Sequence, residues 1–258
     1  MQIHFFLIYN TLNQTMQSTE TDRHRLERYT TQSGLTRDAI IGLADGLTVP
    51  FALTAGLSSI GSSKLVILGG MAELFAGSIS MGLGAYLATI TDAHHFEVEE
   101  AREQRQVTQT PHLEGELLVN LFQRYGITYW EISPIIENFR RNPQSWVKFM
   151  MDFELKLERP RWSRPWVSAL TMGLSYFIGG LIPMVPNFTT NHINTALFAS
   201  IGVTCVMLCI FGYGKAIITG LSRRSAVYGS LEMLLVGAIA AGASYGIVKL
   251  VNTNLDYT

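Results

Sequence analysis

Five long apolar stretches alternate with polar segments along the chain. A helix that crosses a bilayer needs about 20 apolar residues at a rise of 1.5 Å per residue. Five stretches reach that length: Ala39–Ile60, Leu65–Ile90, Trp166–Pro186, Ala196–Gly214 and Ser225–Val248. Only three carboxylates interrupt them, namely Asp45, Glu73 and Glu232. The pattern predicts an all-α polytopic membrane protein with five transmembrane helices.

A polar segment of residues 92–163 separates the second stretch from the third. From Asp92 to Arg164 it holds 12 of the 20 acidic and 10 of the 19 basic residues. Strong helix formers and helix caps at Thr128 and Asn142 predict a helical insert there. Its expected helices are Asp92–Gln106, Leu113–Tyr125, Tyr129–Arg140 and Pro143–Glu158.

Basic residues in the loops predict the orientation of the spans. Lys and Arg are concentrated in the N-terminal flank, in the insert and after the fourth span, whereas the other loops carry one at most. By the positive-inside rule, the N-terminus and the insert are cytosolic and the C-terminus is lumenal. We therefore expect a disordered cytosolic tail (residues 1–33), spans one and two (34–91), the cytosolic domain (92–163), and spans three to five with a short lumenal C-terminus (164–258).

Composition narrows the class of protein. Charged residues make up 15% of the chain and hydrophobic residues 48%, whereas a soluble domain has about 25% charged residues. A formal net charge of −1 gives no indication of nucleic-acid binding. The only cysteines, Cys205 and Cys209, are four apart in an apolar run, which excludes a disulfide framework and is typical of buried helix packing.

Carboxylates inside the predicted spans are candidates for an ion path. A charge at the centre of a bilayer costs at least ~2.5 kcal/mol, so each needs a partner, water or a transported ion. Asp38 and Asp45 are seven residues apart and share one face of span one. On span two, small or coordinating side chains form a stripe: Glu73, Gly77, Ser80, Met81 and Gly84. Structural alternatives remain: hydrogen bonds between helices, packing for Met81, and solvation for Glu232, which lies nearer the cytosolic end.

The insert carries acidic side chains at helical spacing. Glu99 and Glu103 are four residues apart, as are Met150 and Glu154, and a third helix carries Glu114 and Glu116. Carboxylates that converge from several helices bind divalent metals. Spacing alone favours the alternative, solvated glutamates on surface helices.

Longer motifs resemble the vacuolar iron transporter family, in its plant and fungal form with a cytosolic metal-binding domain. The similarity covers about residues 34–250. The motifs are Arg37-Asp38 with Asp45-Gly-Leu-Thr-Val-Pro50, Ala72-Glu73 through Met81 to Leu87, Tyr125-Gly-Ile, Asn142-Pro-Gln-Ser-Trp146, Phe149–Leu155, Ser168–Tyr176 and Gly179-Gly-Leu-Ile-Pro183.

The resemblance implies a function and a set of site residues. It implies a homodimer in the vacuolar membrane that moves ferrous iron from the cytosol into the vacuole in exchange for protons, with no catalytic cofactor. Manganese and zinc are further candidate substrates. Asp38, Asp45, Glu73 and Met81 would line the path, with Glu232 as an additional candidate. Metal-binding residues of the cytosolic domain would be Glu99, Glu103, Glu114, Glu116, Met150 and Glu154.

The insert departs from the family pattern at two positions. Gln106 stands where the pattern has a second Glu three residues after Glu103, and Leu117 stands where Glu114 would have its partner. The cytosolic cluster is therefore expected to be poorer in carboxylates than in plant members of the family. The membrane motif has no such gap.

Two other classes compete with a transporter. A membrane-anchored carboxylate metal enzyme would use the insert as its catalytic domain. Its helices lack the Glu-x-x-His signature of such sites, and His94 and His95 are not placed to supply it. A receptor or scaffold without transport would leave the intramembrane acids unexplained. We therefore expect a protein that is not an enzyme.

Overall fold

The computed structural model describes residues 34–189 and 193–255, and these residues are helical apart from short turns and one connecting segment. The predicted disordered tail, residues 1–33, lies outside the described residues. The helices are α1 (Gly34–Ser58), α2 (Ser63–Gln109), α3 (Pro111–Gln123), α4 (Tyr129–Arg141), α5 (Pro143–Phe149), α6 (Arg164–Thr189), α7 (Ile193–Ile218) and α8 (Arg223–Leu255). The all-α class is confirmed.

Five helices are long and apolar enough to cross a membrane: α1, α2, α6, α7 and α8. Each predicted span falls on one of them, so the prediction of five transmembrane helices is confirmed. The second predicted span and the first predicted insert helix lie on one continuous helix, because α2 runs without interruption for 47 residues. No Gly or Pro lies between Leu87 and Gln109, so the change from apolar to polar side chains leaves the helical backbone intact.

The described chain divides into two compact units. One holds the described residues up to Tyr86 together with those from Trp166 onwards, and the other is Leu87–Pro165.

Glycines let α1, α2 and α6 approach closely within the first unit. A Cβ atom on Gly46 of α1 would lie 2.3 Å from the carbonyl oxygen of Tyr176 on α6. A Cβ on Gly77 of α2 would lie 2.5 Å from the hydroxyl of the same tyrosine. Ser78 adds a hydrogen bond from its Oγ to the Gly173 carbonyl of α6, at 2.9 Å. Tyr176 thus lies where three helices meet.

The remaining spans pack on this group through small and apolar side chains. Leu47 of α1, Leu208 of α7 and Met233 of α8 form one buried cluster. The Ser230 hydroxyl of α8 donates to the Cys209 carbonyl of α7 at 3.0 Å, and the Ser200 hydroxyl of α7 donates to the Pro183 carbonyl of α6 at 2.7 Å. Such short-range packing and interhelical hydrogen bonds hold helices together where lipid removes the hydrophobic driving force.

The second unit has its own hydrophobic core. Trp146, Val147, Met150 and Met151 pack there with residues from α2, α3 and α4, including Leu118. The predicted caps are both confirmed. Glu131 Oε2 accepts hydrogen bonds from the Thr128 backbone and hydroxyl at the start of α4, and Asn142 Oδ1 accepts one from the Ser145 N–H in α5.

The predicted fourth helix of the insert ends early. After α5 the chain makes a π-helical turn, Met150–Glu154, and then leaves helical structure. Lys156 has φ +53, a left-handed conformation that stops the helix before the predicted end at Glu158.

Adding one methyl group at Gly46 tests the close packing of the spans. Gly46→Ala should destabilise the protein by about 1–3 kcal/mol, because the new Cβ overlaps the α6 backbone. A matched control is Gly202→Ala on α7, where a Cβ meets no atom within 4 Å; it should be neutral or slightly stabilising. Thermal unfolding in detergent measures both, and equal effects would contradict the packing of α1 against α6.

Candidate functional site

The candidate membrane site is built around Tyr176. This residue is 2% exposed, and its hydroxyl donates a hydrogen bond to Glu73 Oε1 at 2.9 Å. Asp45 of α1 directly precedes Gly46, where α1 packs against the Tyr176 backbone. The fold therefore brings Asp45 and Glu73, two carboxylates predicted from separate spans, to the same residue of a third helix.

Local sequence explains why Tyr176 can occupy this position. Gly46 follows Asp45 directly and gives room for the α6 backbone. Gly77 is one helical turn after Glu73 and gives room for the tyrosine ring. Pro50 has no N–H, so the Gly46 carbonyl beside Asp45 loses its helical donor. On both α1 and α2, the glycine that gives room for Tyr176 therefore lies within one helical turn of the carboxylate.

Asp38 occupies a second position along α1. It is 5% exposed, and its Oδ2 accepts a hydrogen bond from the Ser168 hydroxyl of α6 at 2.5 Å. Its Oδ1 lies 3.7 Å from Nε of Arg37. Asp38 therefore meets α6 at Ser168, eight residues before Tyr176.

Met81 and Glu232, the other two residues predicted for the membrane path, have different surroundings from Asp38, Asp45 and Glu73. Met81 is half-buried on α2, two turns beyond Glu73. Glu232 is exposed on α8 and lines a cavity with Lys215 and Tyr228 rather than facing Tyr176. The structure therefore separates Glu232 from the group around Tyr176.

In the second unit, Glu103 and Glu114 are buried carboxylates. They are 6% and 2% exposed, respectively. One oxygen of each, Glu103 Oε2 and Glu114 Oε2, lacks a hydrogen-bond partner among the described residues, as does Gln106 Oε1. A buried polar atom without a partner costs about 1–3 kcal/mol. Three acceptor oxygens from α2 and α3 are therefore left for a cation or water.

Burial and mutual repulsion disfavour the charged forms of these glutamates. Burial raises the pKa of Glu103 from 4.5 to about 7, with smaller contributions from the charges of Glu114 and Glu154. Arg102 opposes this shift, although that guanidinium is also 3.5 Å from Glu99. Burial, followed by the charge of Glu154, likewise raises the pKa of Glu114. A bound cation would relieve both effects.

The remaining predicted ligands of the insert are spread more widely. Glu154 is exposed, although its charge acts on both Glu103 and Glu114. Glu116 is exposed, and Met150 packs in the hydrophobic core with an exposed fraction of 1%. Across residues 34–189 and 193–255, no group of three His, Cys, Asp or Glu side chains is assembled in a way that could hold a metal ion.

Sequence reasoning assigned no role to Tyr176, Ser168 or the Gln106 carbonyl oxygen. Tyr176 and Ser168 belong to a motif that was recognised only as a whole, because a tyrosine or serine in an apolar helix has many packing roles. Gln106 stands where the family pattern has a glutamate. Its unpartnered oxygen makes it a neutral candidate ligand instead.

Known proteins resemble this chain over most of its length. A model of the VIT family matches residues 36–249. "Vacuolar iron transporter 1" of Oryza sativa subsp. japonica is 43% identical over 237 residues, which cover 92% of this chain and 93% of that protein. The Arabidopsis thaliana protein of the same name is 42% identical over 229 residues, covering 88% and 90%. "Protein CCC1" of Saccharomyces cerevisiae is 41% identical over 218 residues, covering 83% and 68%.

The buried Glu103 predicts how the metal-free protein responds to pH. Because its pKa is about 7 in the folded state against an ordinary 4.5, the folded protein binds the proton more tightly than the unfolded chain. Its contribution to stability is therefore complete below about pH 4.5 and is lost as pH rises through about 7. Glu103→Gln should lose less stability than the parent between about pH 5 and 8.

Thermal unfolding in a chelating buffer, followed by tryptophan fluorescence, measures this difference. Trp130, Trp146 and Trp162 lie in the second unit and report on it. The matched control is Glu97→Gln, at an exposed position of the same helix. Parallel pH profiles for the parent and Glu103→Gln would contradict the proton-binding role of Glu103.

Proposed function

The chain belongs to the VIT family, and from that membership we propose that it carries ferrous iron from the cytosol into the vacuole in exchange for protons. The observation that carries the proposal is the hydrogen bond from the Tyr176 hydroxyl to Glu73, with Asp45 next to Gly46, where α1 packs against the Tyr176 backbone. All three helices are long and apolar enough to span a membrane. The names of the rice and Arabidopsis relatives support iron as the cargo.

The membrane carboxylates would replace water around the ion. Carboxylate oxygens suit hard divalent cations, and a methionine sulfur adds affinity for softer transition metals. In the proposal Asp45 and Glu73 supply oxygen ligands and Met81 supplies the sulfur. Asp38, which Ser168 orients, receives the ion before it reaches them. Manganese and zinc are tested as competing ions.

Protons would drive release. Among the described residues no Lys or Arg forms an ion pair with Asp45 or Glu73. Binding of either a metal ion or protons therefore neutralises these carboxylates, and the two compete for the same oxygens. An acidic lumen would protonate them and weaken their hold on the ion. Return of the proton to the cytosol would complete the exchange.

The insert would collect iron on the cytosolic side. Its unpartnered oxygens on Glu103, Gln106 and Glu114 support a cation site, and the exposed Glu154 would complete it on binding. Because Gln106 is neutral, this site carries less negative charge than one with a glutamate there. Glu99 and Glu116 would attract cations at its edge. Met150 serves packing in the described structure, so a ligand role would require it to leave the core.

Topology and assembly belong to the same proposal. Basic residues support a cytosolic N-terminus and insert and a lumenal C-terminus. The names of the relatives support the vacuolar membrane. We propose a homodimer, as the family resemblance implies. The rival hypothesis, a membrane-anchored metal enzyme, has less support, because the plant relatives carry the names of transporters.

Replacing Asp45 tests transport directly. Asp45→Asn removes a ligand charge and a proton-binding group with little change in shape. Uptake of Fe²⁺ into proteoliposomes with an acidic interior should fall to background. The matched control, Asp152→Asn at an exposed position of the insert, should transport like the parent. Competition by Mn²⁺ and Zn²⁺ in the same assay measures selectivity.

Two results would contradict the proposal. One is full Fe²⁺ uptake by folded Asp45→Asn. The other is uptake by the parent protein that is unchanged when the proton gradient is collapsed. That result would contradict proton exchange but not iron transport.

A further inference from the structure

The turn between α7 and α8 contains a cavity that the proposed iron path does not use. Its volume is about 440 Å³. Its lining includes Lys215, Leu221, Ser225, Tyr228 and Glu232. All of them come from the end of α7, the turn or the first part of α8, so the cavity belongs to a single region of the membrane unit.

Three basic side chains in or next to this cavity form no ion pair in the part of the chain that the structure describes. Lys215 lines it, and Arg223 and Arg224 are exposed residues that stand in the chain between the lining residues Leu221 and Ser225. Within residues 34–189 and 193–255, none of the three cations has a carboxylate within 4.0 Å. A ligand that brings negative charge would meet three cationic side chains.

Polar groups in the cavity add hydrogen-bonding capacity. Ser225 lines it, and its hydroxyl lies 3.2 Å from that of Ser222 in the adjoining turn. The Glu232 carboxylate provides an acceptor, which suits a ligand that carries hydroxyl donors as well as phosphate. An anion without such donors would be repelled by Glu232.

The surroundings of the cavity are apolar. Ile218, Leu221, Val227 and Leu231 are each at least half exposed, and the lining residue Tyr228 is 74% exposed. On membrane-spanning helices such side chains contact acyl chains, and tyrosine is enriched at the level of the headgroups. A ligand with both a charged headgroup and acyl chains matches this surface, whereas a free phosphate uses only the polar part.

We propose that the α7–α8 turn binds the headgroup of an anionic phospholipid with hydroxyl donors, of the inositol phospholipid type. Lys215, Arg223 and Arg224 contact its phosphate, and Glu232 accepts hydrogen bonds from its hydroxyls. Each basic residue near an anionic lipid surface contributes roughly a fivefold change in affinity, so loss of all three weakens binding about 100-fold. This site lies outside the proposed iron path, and its failure would leave that path unaffected.

The test is a titration of phosphatidylinositol into the full-length protein in neutral detergent, without metal and at physiological ionic strength. A lipid that binds the folded state raises the melting temperature, so the dependence on lipid concentration gives an apparent affinity. Lys215→Gln combined with Arg223→Gln and Arg224→Gln should weaken it about 100-fold. The control, Arg124→Gln with Arg140→Gln and Lys148→Gln, changes the same charge at exposed positions of the insert and should bind like the parent.

Three results would overturn the proposal. They are equal weakening by the control triple variant, equal stabilisation by phosphatidylcholine, and equal stabilisation by a soluble inositol phosphate, which would indicate a phosphate site rather than a lipid site. If the triple variant does not fold, Arg224→Gln alone replaces it, with an expected weakening of roughly fivefold. Unchanged affinity in that single variant would also overturn the proposal.

Discussion

The hydrogen bond from Tyr176 to Glu73 is the interaction on which the membrane site depends. It joins side chains that are 103 residues apart in the chain, and it can form only because α2 and α6 approach closely at Gly77. Gly46 allows the same approach by α1, which brings Asp45 to this point. The close packing of α1, α2 and α6 therefore also determines where these two carboxylates lie.

The buried acidic side chains of the two units differ in their hydrogen bonds. In the membrane unit, Glu73 and Asp38 each accept a hydrogen bond from a hydroxyl of α6. In the insert, Glu103 and Glu114 are buried with oxygens left unpartnered, and burial raises the pKa of both groups. The membrane carboxylates are thus held by the fold, whereas those of the insert are stabilised only when a proton or a cation arrives. This difference supports the proposed ion path in the first unit and the proposed collecting site in the second.

Much of the fold follows from the sequence, because the length of an apolar run and the identity of capping residues act locally. The five spans and the caps at Thr128 and Asn142 are of this kind. The joining of the second span and the first insert helix into one α2 agrees with a helix propensity that does not change near Asp92, where side-chain polarity does. Tyr176 and Ser168 were missed because their roles depend on partners on other helices, Glu73 and Asp38, that no local pattern reveals. Gln106 was recognised as a departure from the family pattern, but only burial shows that its oxygen lacks a partner.

The most direct measurement is iron uptake by Tyr176→Phe in proteoliposomes, beside Tyr213→Phe at an exposed position of α7 as the control. A hydrogen bond to a charged group contributes about 1.5–3 kcal/mol, which corresponds to about tenfold or more in rate if it orients Glu73 for the ion. The account predicts a folded Tyr176→Phe protein whose Fe²⁺ uptake is reduced at least about tenfold, with Tyr213→Phe unaffected. Uptake by folded Tyr176→Phe at the rate of the parent would contradict it.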